Sequence, residues 1–184
     1  MASMRTPWAR SFARACGAVV ASIASALAVG CVDYDFVEVE CPPIEDFSAV
    51  SPLLESRCGT LDCHGSVSRP LRIYGQYGLR LDPSGESDGL YSGNLGQPTS
   101  QLEIEANYRT VCGLEPEKMT RVARGELEPT ALTMVRKPRL AEKHKGGRIW
   151  DQGKAPDRCL VTWLQAEYDP GEMDPSDCRA ATEQ

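Results

Sequence analysis

The sequence predicts a small, mainly α-helical domain with long loops, stapled by disulfides. Three observations lead to this prediction. Apolar residues recur at helical spacing in several short segments, each bounded by a capping residue, a proline or a glycine. No segment shows the alternating pattern of a half-buried strand. Six of the eight cysteines follow residue 31, and an even set of this kind favours a fold built on disulfides in an oxidising compartment.

The first 30 residues have the pattern of an export signal. They hold three arginines and no acid, and residues 15–29 are apolar and rich in small side chains. That run is shorter than the roughly 20 residues of a membrane-spanning helix. It ends in the letters LAVGC, which resemble a bacterial lipobox with Cys31 as the lipidated residue. Because Val32 rather than an aspartate follows, the resemblance implies a lipid anchor in the outer membrane; the alternative is an ordinary signal peptide cleaved nearby.

Charge and length limit what the exported chain can be. Removing residues 1–30 from 184 leaves 154, enough for one domain with a modest core. It also removes three of 20 basic residues and none of 26 acidic ones, so 17 against 26 gives a net charge of −9. A strongly acidic surface argues against nucleic acid or anionic lipid as a binding partner. It suits solubility or a basic docking partner.

The first structured element is predicted just after an acidic tether. Residues 31–43 form this tether, and the domain is expected to span residues 44–168. A helix is predicted at residues 46–57, ended by Cys58 and Gly59. Its apolar residues recur at helical spacing: Phe47, Val50, Leu53 and Leu54.

Further helices are predicted from capping and proline signals. After extended chain and a surface loop over residues 82–98, Ser100 and Glu103 form a capping box for a helix that runs to about Val111. Short helices are expected from Pro116 and Pro129, because proline is favoured in the first turn.

The last predicted helix follows a basic, glycine-rich loop over residues 139–153. Pro156 begins this helix, whose buried stripe contains Leu160, Trp163 and Leu164. Residues 169–184 are expected to be a polar tail.

The chemistry of the chain is concentrated in Cys58, Cys63 and His64. Two thiols can add to the vinyl groups of a haem, and the adjacent imidazole can bind its iron. The usual c-type spacing is C-x-x-C-H, whereas four residues separate the cysteines here. Gly59 would give the backbone freedom for the necessary bulge. The alternative is that both cysteines form structural disulfides and His64 is a polar loop residue.

Short segments around this motif resemble bacterial cytochrome c domains of the planctomycete type. The resemblance covers roughly residues 44–166, in the order of that group, and departs from it in the long spacer and in two extra cysteines. Its pieces are the letters FSAVSPLLESRC before CHG, then GLRLD, RKP, HKGG and LVTWL. It implies a cytochrome c-like helical fold in which the first and last helices cross beside a covalently bound haem. His64 would be the proximal ligand.

The second iron ligand and the disulfides are open at this stage. His144, in a glycine-rich loop, is the first candidate for the distal ligand, with Met119 and Met134 as alternatives. Cys41 is expected to pair with Cys178 on position alone. The remaining pair, Cys112 and Cys159, would clip two helices together.

Two functional hypotheses follow. The first is a lipid-anchored c-type cytochrome that carries single electrons between protein partners and performs no bond-making chemistry on a substrate. The second is a haem-free surface lipoprotein that acts as an interaction module, with three disulfides. A zinc site from the motif residues plus one distant ligand has little support, because no second ligand pair is present. A basic cluster is either a solvated loop or a docking surface: Lys137, Arg139, Lys143, His144, Lys145 and Arg148.

Overall fold

The computed structural model describes residues 38–81, 96–169 and 174–183. The predicted signal, Cys31 and most of the tether lie outside these ranges. Within them the chain forms six α-helices and one 3₁₀ turn and contains no strand, so the mainly helical fold with long loops is confirmed. The helices are α1 Ile44–Arg57, α2 Gln101–Gly113, α3 Pro116–Ala123, α4 Thr133–Arg136, α5 Ala155–Gln165 and α6 Pro175–Thr182, with the 3₁₀ turn Pro129–Ala131 before α4. None of these helices has the length and apolarity needed to cross a membrane.

The helix boundaries follow the local sequence signals. Ser100 caps α2 as predicted: its side chain accepts from the Glu103 N–H, and the Glu103 carboxylate accepts from the Ser100 N–H. Proline occupies the first turn of α3, of the 3₁₀ turn and of α5. Helix α1 begins earlier than predicted and runs unbroken through Pro52.

Aromatic side chains join α1 to the helices around it. The ring of Phe47 lies 5.0 Å from that of Trp163 and 5.5 Å from that of Tyr108, measured between centroids. Phe47 and Trp163 are fully buried. Helix α1 therefore contacts α5 across the core, with α2 and α6 packed beside it.

The two disulfides join different pairs of cysteines from those that were predicted. Cys41 bonds to Cys112 and Cys159 bonds to Cys178. The predicted Cys41–Cys178 pairing is wrong, and Cys112 and Cys159 do not join each other, although all four residues are disulfide-bonded.

Packing explains the observed disulfide pairing. The segment before α1 lies on α2, where the Tyr108 hydroxyl donates to the Pro42 carbonyl at 3.0 Å. The predicted polar tail contains α6, which packs on α5 and α1 and buries Ala181 completely. The first contact brings Cys41 next to Cys112, and the second brings Cys178 next to Cys159.

Candidate functional site

The cysteine–histidine motif forms a closed loop at the end of α1. Cys58 is the C-cap of that helix, and its N–H donates to the Leu54 carbonyl at 2.8 Å. The His64 N–H donates to the Cys58 carbonyl at 2.8 Å, which closes the loop, and the Cys63 N–H donates to the Thr60 carbonyl at 2.9 Å. The two extra residues of the spacer are thus accommodated in an outward bulge, where Leu61 is 60% exposed.

Three glycines allow this loop to fold closely on its neighbours. A Cβ on Gly65 would lie 2.0 Å from the Gly59 carbonyl oxygen, and a Cβ on Gly78 would lie 1.9 Å from it. The expected role of Gly59, backbone freedom for the bulge, is not what the structure shows. Its φ is not positive, and a Cβ there would press on the backbone of Glu55 and the side chain of Ile73. The motif depends on close backbone approach rather than on left-handed conformation.

Two adjoining cavities open beside the motif. The larger is about 380 Å³ and the smaller about 120 Å³. Both are lined by the same central residues: Cys58, His64, Pro70, Lys137 and His144. The smaller adds apolar walls: Leu54, Leu71, Val111, Leu114, Met134 and Pro138. The larger adds charged groups: Arg57, Asp62, Arg69, Lys143 and Lys145. The pair offers an apolar floor with a charged mouth, and the larger cavity is of a size common for ligand sites.

The rings of His64 and His144 are close and nearly parallel, and both line this space. The centroids of the His64 and His144 rings are 6.3 Å apart, and the ring planes are 9° from parallel. Nδ1 of His64 donates to the Leu71 carbonyl at 3.0 Å, and Nδ1 of His144 donates to the Gly147 carbonyl at 2.8 Å. A backbone carbonyl on one nitrogen fixes the ring and leaves Nε2 as the nitrogen that can bind a metal. Burial also lowers the pKa of His64, which favours the neutral, metal-binding form.

The motif cysteines are free thiols. Cys58 is buried and Cys63 is half-buried, whereas the other four cysteines of the described ranges are in disulfides. Burial, and then the neighbouring Cys63, raise the pKa of the Cys58 thiol to about 12. This thiol stays protonated at neutral pH and is a poor nucleophile in the folded chain.

The alternative ligands are placed differently. Met119 is buried in α3 and lines neither cavity, whereas Met134 lines the smaller one. Among the described residues, no group of three or more His, Cys, Asp or Glu side chains is arranged to hold a metal ion, so the zinc arrangement is not formed there.

Sequence reasoning assigned no structural role to three residues of this site, although the quoted letters CHG and GLRLD contain two of them. Gly65 and Gly78 hold the loop, and Arg69 donates to the carbonyls of Asp62 and Cys63 at 3.3 and 3.2 Å. The only local signal was the density of glycine around the motif, and Arg69 had none. Comparisons with protein-family models, curated proteins and solved structures find no match to this chain.

Proposed function

We propose that this protein is a c-type cytochrome that carries single electrons. It would hold one haem by thioether bonds from Cys58 and Cys63 and ligate its iron through His64 and His144. The observation that carries the proposal is the parallel imidazole pair, 6.3 Å apart between centroids, across cavities that the free thiols of Cys58 and Cys63 also line.

The residues fit this group in three respects. Two imidazoles on opposite sides of one metal ion place their ring centres roughly 6 Å apart, given metal–nitrogen bonds of about 2 Å. An apolar floor and a cationic mouth suit a flat apolar macrocycle that carries carboxylates. Two disulfides and two free thiols use all six cysteines that follow residue 31.

Each side chain has a definite task in this proposal. The carbonyls of Leu71 and Gly147 orient the two imidazoles and leave Nε2 of each ring available to the iron. Leu54 and Val111 exclude water from the cavity floor. The bound haem would supply the redox couple, and ligation by two imidazoles gives a lower potential than ligation by His and Met. We infer no bond-making chemistry, so the protein would be a carrier and not an enzyme.

The location is part of the same proposal. The signal-like residues 1–30 and the lipobox-like Cys31 would direct export and give a lipid anchor at the outer membrane, on the periplasmic or surface side. Export also provides the oxidising compartment that the two disulfides need.

The test is a pyridine haemochrome spectrum on protein made with a cytochrome c maturation system, after acid-acetone extraction. A c-type spectrum that survives extraction is expected, and it should disappear in a Cys58→Ala/Cys63→Ala variant. His144→Ala should retain covalent haem but lose the low-spin spectrum of two nitrogen ligands. The matched variants Met119→Leu and Met134→Leu should leave that spectrum unchanged. Colourless protein of apoprotein mass would remove the cytochrome proposal and favour the haem-free interaction module.

A further inference from the structure

The structure divides the basic cluster seen in the sequence between two places. Its lysines and His144 line the larger cavity beside the motif. Arg139 and Arg148 instead line a separate, open groove of about 410 Å³, which shares no lining residue with either cavity. The other residues of this arginine groove are Thr130, Arg136, Ala141, Asp151 and Gln152. The groove is therefore distinct from the proposed haem site.

Arg139 is the fixed cation of the arginine groove. Its side chain is only 10% exposed, and its Nε and Nη2 donate to the two carboxylate oxygens of Asp157 at 2.6 and 3.0 Å. Asp157 is buried and also accepts from the Gly153 N–H at 2.6 Å, so it holds the guanidinium firmly in one place. The remaining nitrogen, Nη1, has no hydrogen-bond partner among the described residues and is reached by solvent. Its N–H groups are therefore available to a ligand in the groove.

A tight turn after α4 presents this guanidinium. The Leu140 N–H donates to the Lys137 carbonyl at 2.9 Å. The Ala141 N–H donates to the Arg136 carbonyl at 3.0 Å. These are the two hydrogen bonds of a Schellman motif, whose left-handed position is usually glycine. Leu140 occupies that position here with a φ of 57°. The backbone of the turn thus fixes Arg139 from the side opposite to its ion pair.

Arg148 supplies a second, more adaptable guanidinium. Its side chain is 59% exposed, and Nη1 donates to Asp151 at 3.0 Å, whereas Nε and Nη2 have no partner in the described ranges. Because an exposed ion pair of this kind is weak, Arg148 can turn its free edge toward a ligand. Thr130 and Gln152 add a hydroxyl and an amide, neither of which is hydrogen-bonded in the part of the chain that the structure describes. Arg136 differs, because it donates to carbonyls of the 3₁₀ turn and shapes the wall.

We propose that the arginine groove binds a phosphate group. Guanidinium edges bind phosphate oxygens through paired N–H donors. Two such edges with the Thr130 hydroxyl and the Gln152 amide offer more donors than the two oxygens of a carboxylate need, and they suit the free oxygens of a phosphate. Each arginine of the groove already has a carboxylate partner, so the groove collects hydrogen-bond donors and not net positive charge. It should therefore select a phosphate by its geometry and not attract polyanions in general.

The experiment is an NMR titration of the ¹⁵N-labelled full chain with inorganic phosphate at neutral pH and constant ionic strength. The Nε–H signals of Arg139 and Arg148 should shift together. Arg148→Gln and Arg139→Lys should each raise the Kd roughly tenfold. The lysine variant keeps a cation beside Asp157, and its thermal unfolding midpoint checks the fold. Arg121→Gln is the matched control, because Arg121 is 55% exposed, pairs with Glu126 at 3.7 Å and lies outside the groove. It should leave the Kd unchanged.

The outcomes distinguish the source of the phosphate as well as the site. No phosphate binding, equal weakening by Arg121→Gln, or shifts confined to Lys143 and Lys145 would overturn the proposal. Acetate that binds as tightly as phosphate would overturn it too. Sedimentation with phosphatidylcholine vesicles, with and without phosphatidic acid, tests a lipid headgroup: binding that needs both phosphatidic acid and Arg148 assigns the phosphate to a membrane lipid. Binding of inorganic phosphate alone assigns it to a soluble compound. Each result holds with or without haem, so rejection of the cytochrome proposal leaves this one standing.

Discussion

The buried polar cluster beside α1 and the cavity at the C-terminal end of the same helix treat charge in opposite ways. In the polar cluster (Ser51, Glu55, Arg80, Glu103 and Asn107) the charged groups are bonded within the protein. Arg80 donates to both carboxylate oxygens of Glu103 at 2.7 and 2.8 Å, and the two side chains are only 4% and 1% exposed. Asn107 donates to the Tyr74 carbonyl at 2.8 Å and accepts from the Tyr74 N–H at 2.7 Å.

The two exposed lysines at the cavity, Lys143 and Lys145, keep their charges without protein partners in the described ranges. The two imidazoles each use one nitrogen while the other is available. Buried polar groups are stabilised only when they are satisfied. The hydrogen-bonded residues of the polar cluster therefore stabilise the fold, whereas the unpartnered groups at the cavity are available to a ligand. Substitutions in the polar cluster should change stability, and substitutions around the cavity should change binding.

Arg80→Ala should have the largest effect on stability. It leaves the Glu103 carboxylate buried without its cation and should lower the free energy of unfolding by about 3–5 kcal/mol. Urea unfolding measures this. Arg80→Met/Glu103→Met is the comparison, because it removes both charges and should recover most of the loss. A double variant as unstable as the single one would show that bonds outside the pair matter: those of Arg80 to the carbonyls of Gln97 and Pro98, or those of Glu103 to the N–H groups of Ser100 and Leu81.

Gly78→Ala tests the close packing of the chain at Gly78 against the motif loop at Gly59. The new methyl group would lie 1.9 Å from the Gly59 carbonyl oxygen, which is backbone and has no rotamer to change. The expected loss is about 1–3 kcal/mol of unfolding free energy, as for an overpacked core. Gly113→Ala is the matched control, since a Cβ there meets nothing within 4 Å. It should stabilise α2 by about 0.5–1 kcal/mol. Equal stability of the two variants would show that the motif loop opens easily.

Glu55→Gln tests whether the Glu55 carboxyl makes the stability of the polar cluster depend on pH. Glu55 accepts from the hydroxyls of Ser51 and Thr99 but has no cation of its own, and burial raises its pKa above 4.5. Its protonated form is therefore favoured by folding. Its contribution to stability is complete below pH 4.5 and is lost as pH rises through the higher folded pKa.

The measurement is urea unfolding from pH 2 to pH 8 for the wild type and the Gln variant. The decrease in unfolding free energy that Glu55 causes as pH rises should be absent in Glu55→Gln. Glu115→Gln is the opposite control: hydrogen bonds from Lys118 and Thr133 outweigh burial and lower that pKa. Its contribution is present above pH 4.5 and lost on acidification. Parallel curves for wild type and Glu55→Gln would contradict the assignment.

Helix caps and helix starts, which depend on neighbouring residues, were predicted from the sequence. Disulfide partners and cavity contacts, which depend on how distant segments pack, were not. Ser100, Glu103 and the three helix-starting prolines act within one turn, so those elements were predictable. The disulfide partners and the position of Arg57 beside the larger cavity depend on where α6 and the motif loop pack. No spacing in the sequence encodes those contacts. The close approach of His64 and His144, 80 positions apart, was expected only from the haem hypothesis, in which His144 in its glycine-rich loop was the first candidate for the second ligand.

The reactivity of the two motif thiols gives the smallest perturbation, because it changes no residue of the folded protein. In haem-free protein Cys63 is half-buried, while Cys58 is 9% exposed and its pKa is about 12. Only ~10⁻⁴ of such a thiol is ionised at pH 8, so alkylation by iodoacetamide should modify Cys63 first and Cys58 far more slowly. Tandem mass spectrometry of peptides from the alkylated wild-type protein assigns each rate, and urea should equalise them. Equal rates without urea would mean that Cys58 is reached from solvent in the folded protein. The cavity would then differ from the polar cluster in being open as well as charged, and the haem thioethers could form after folding.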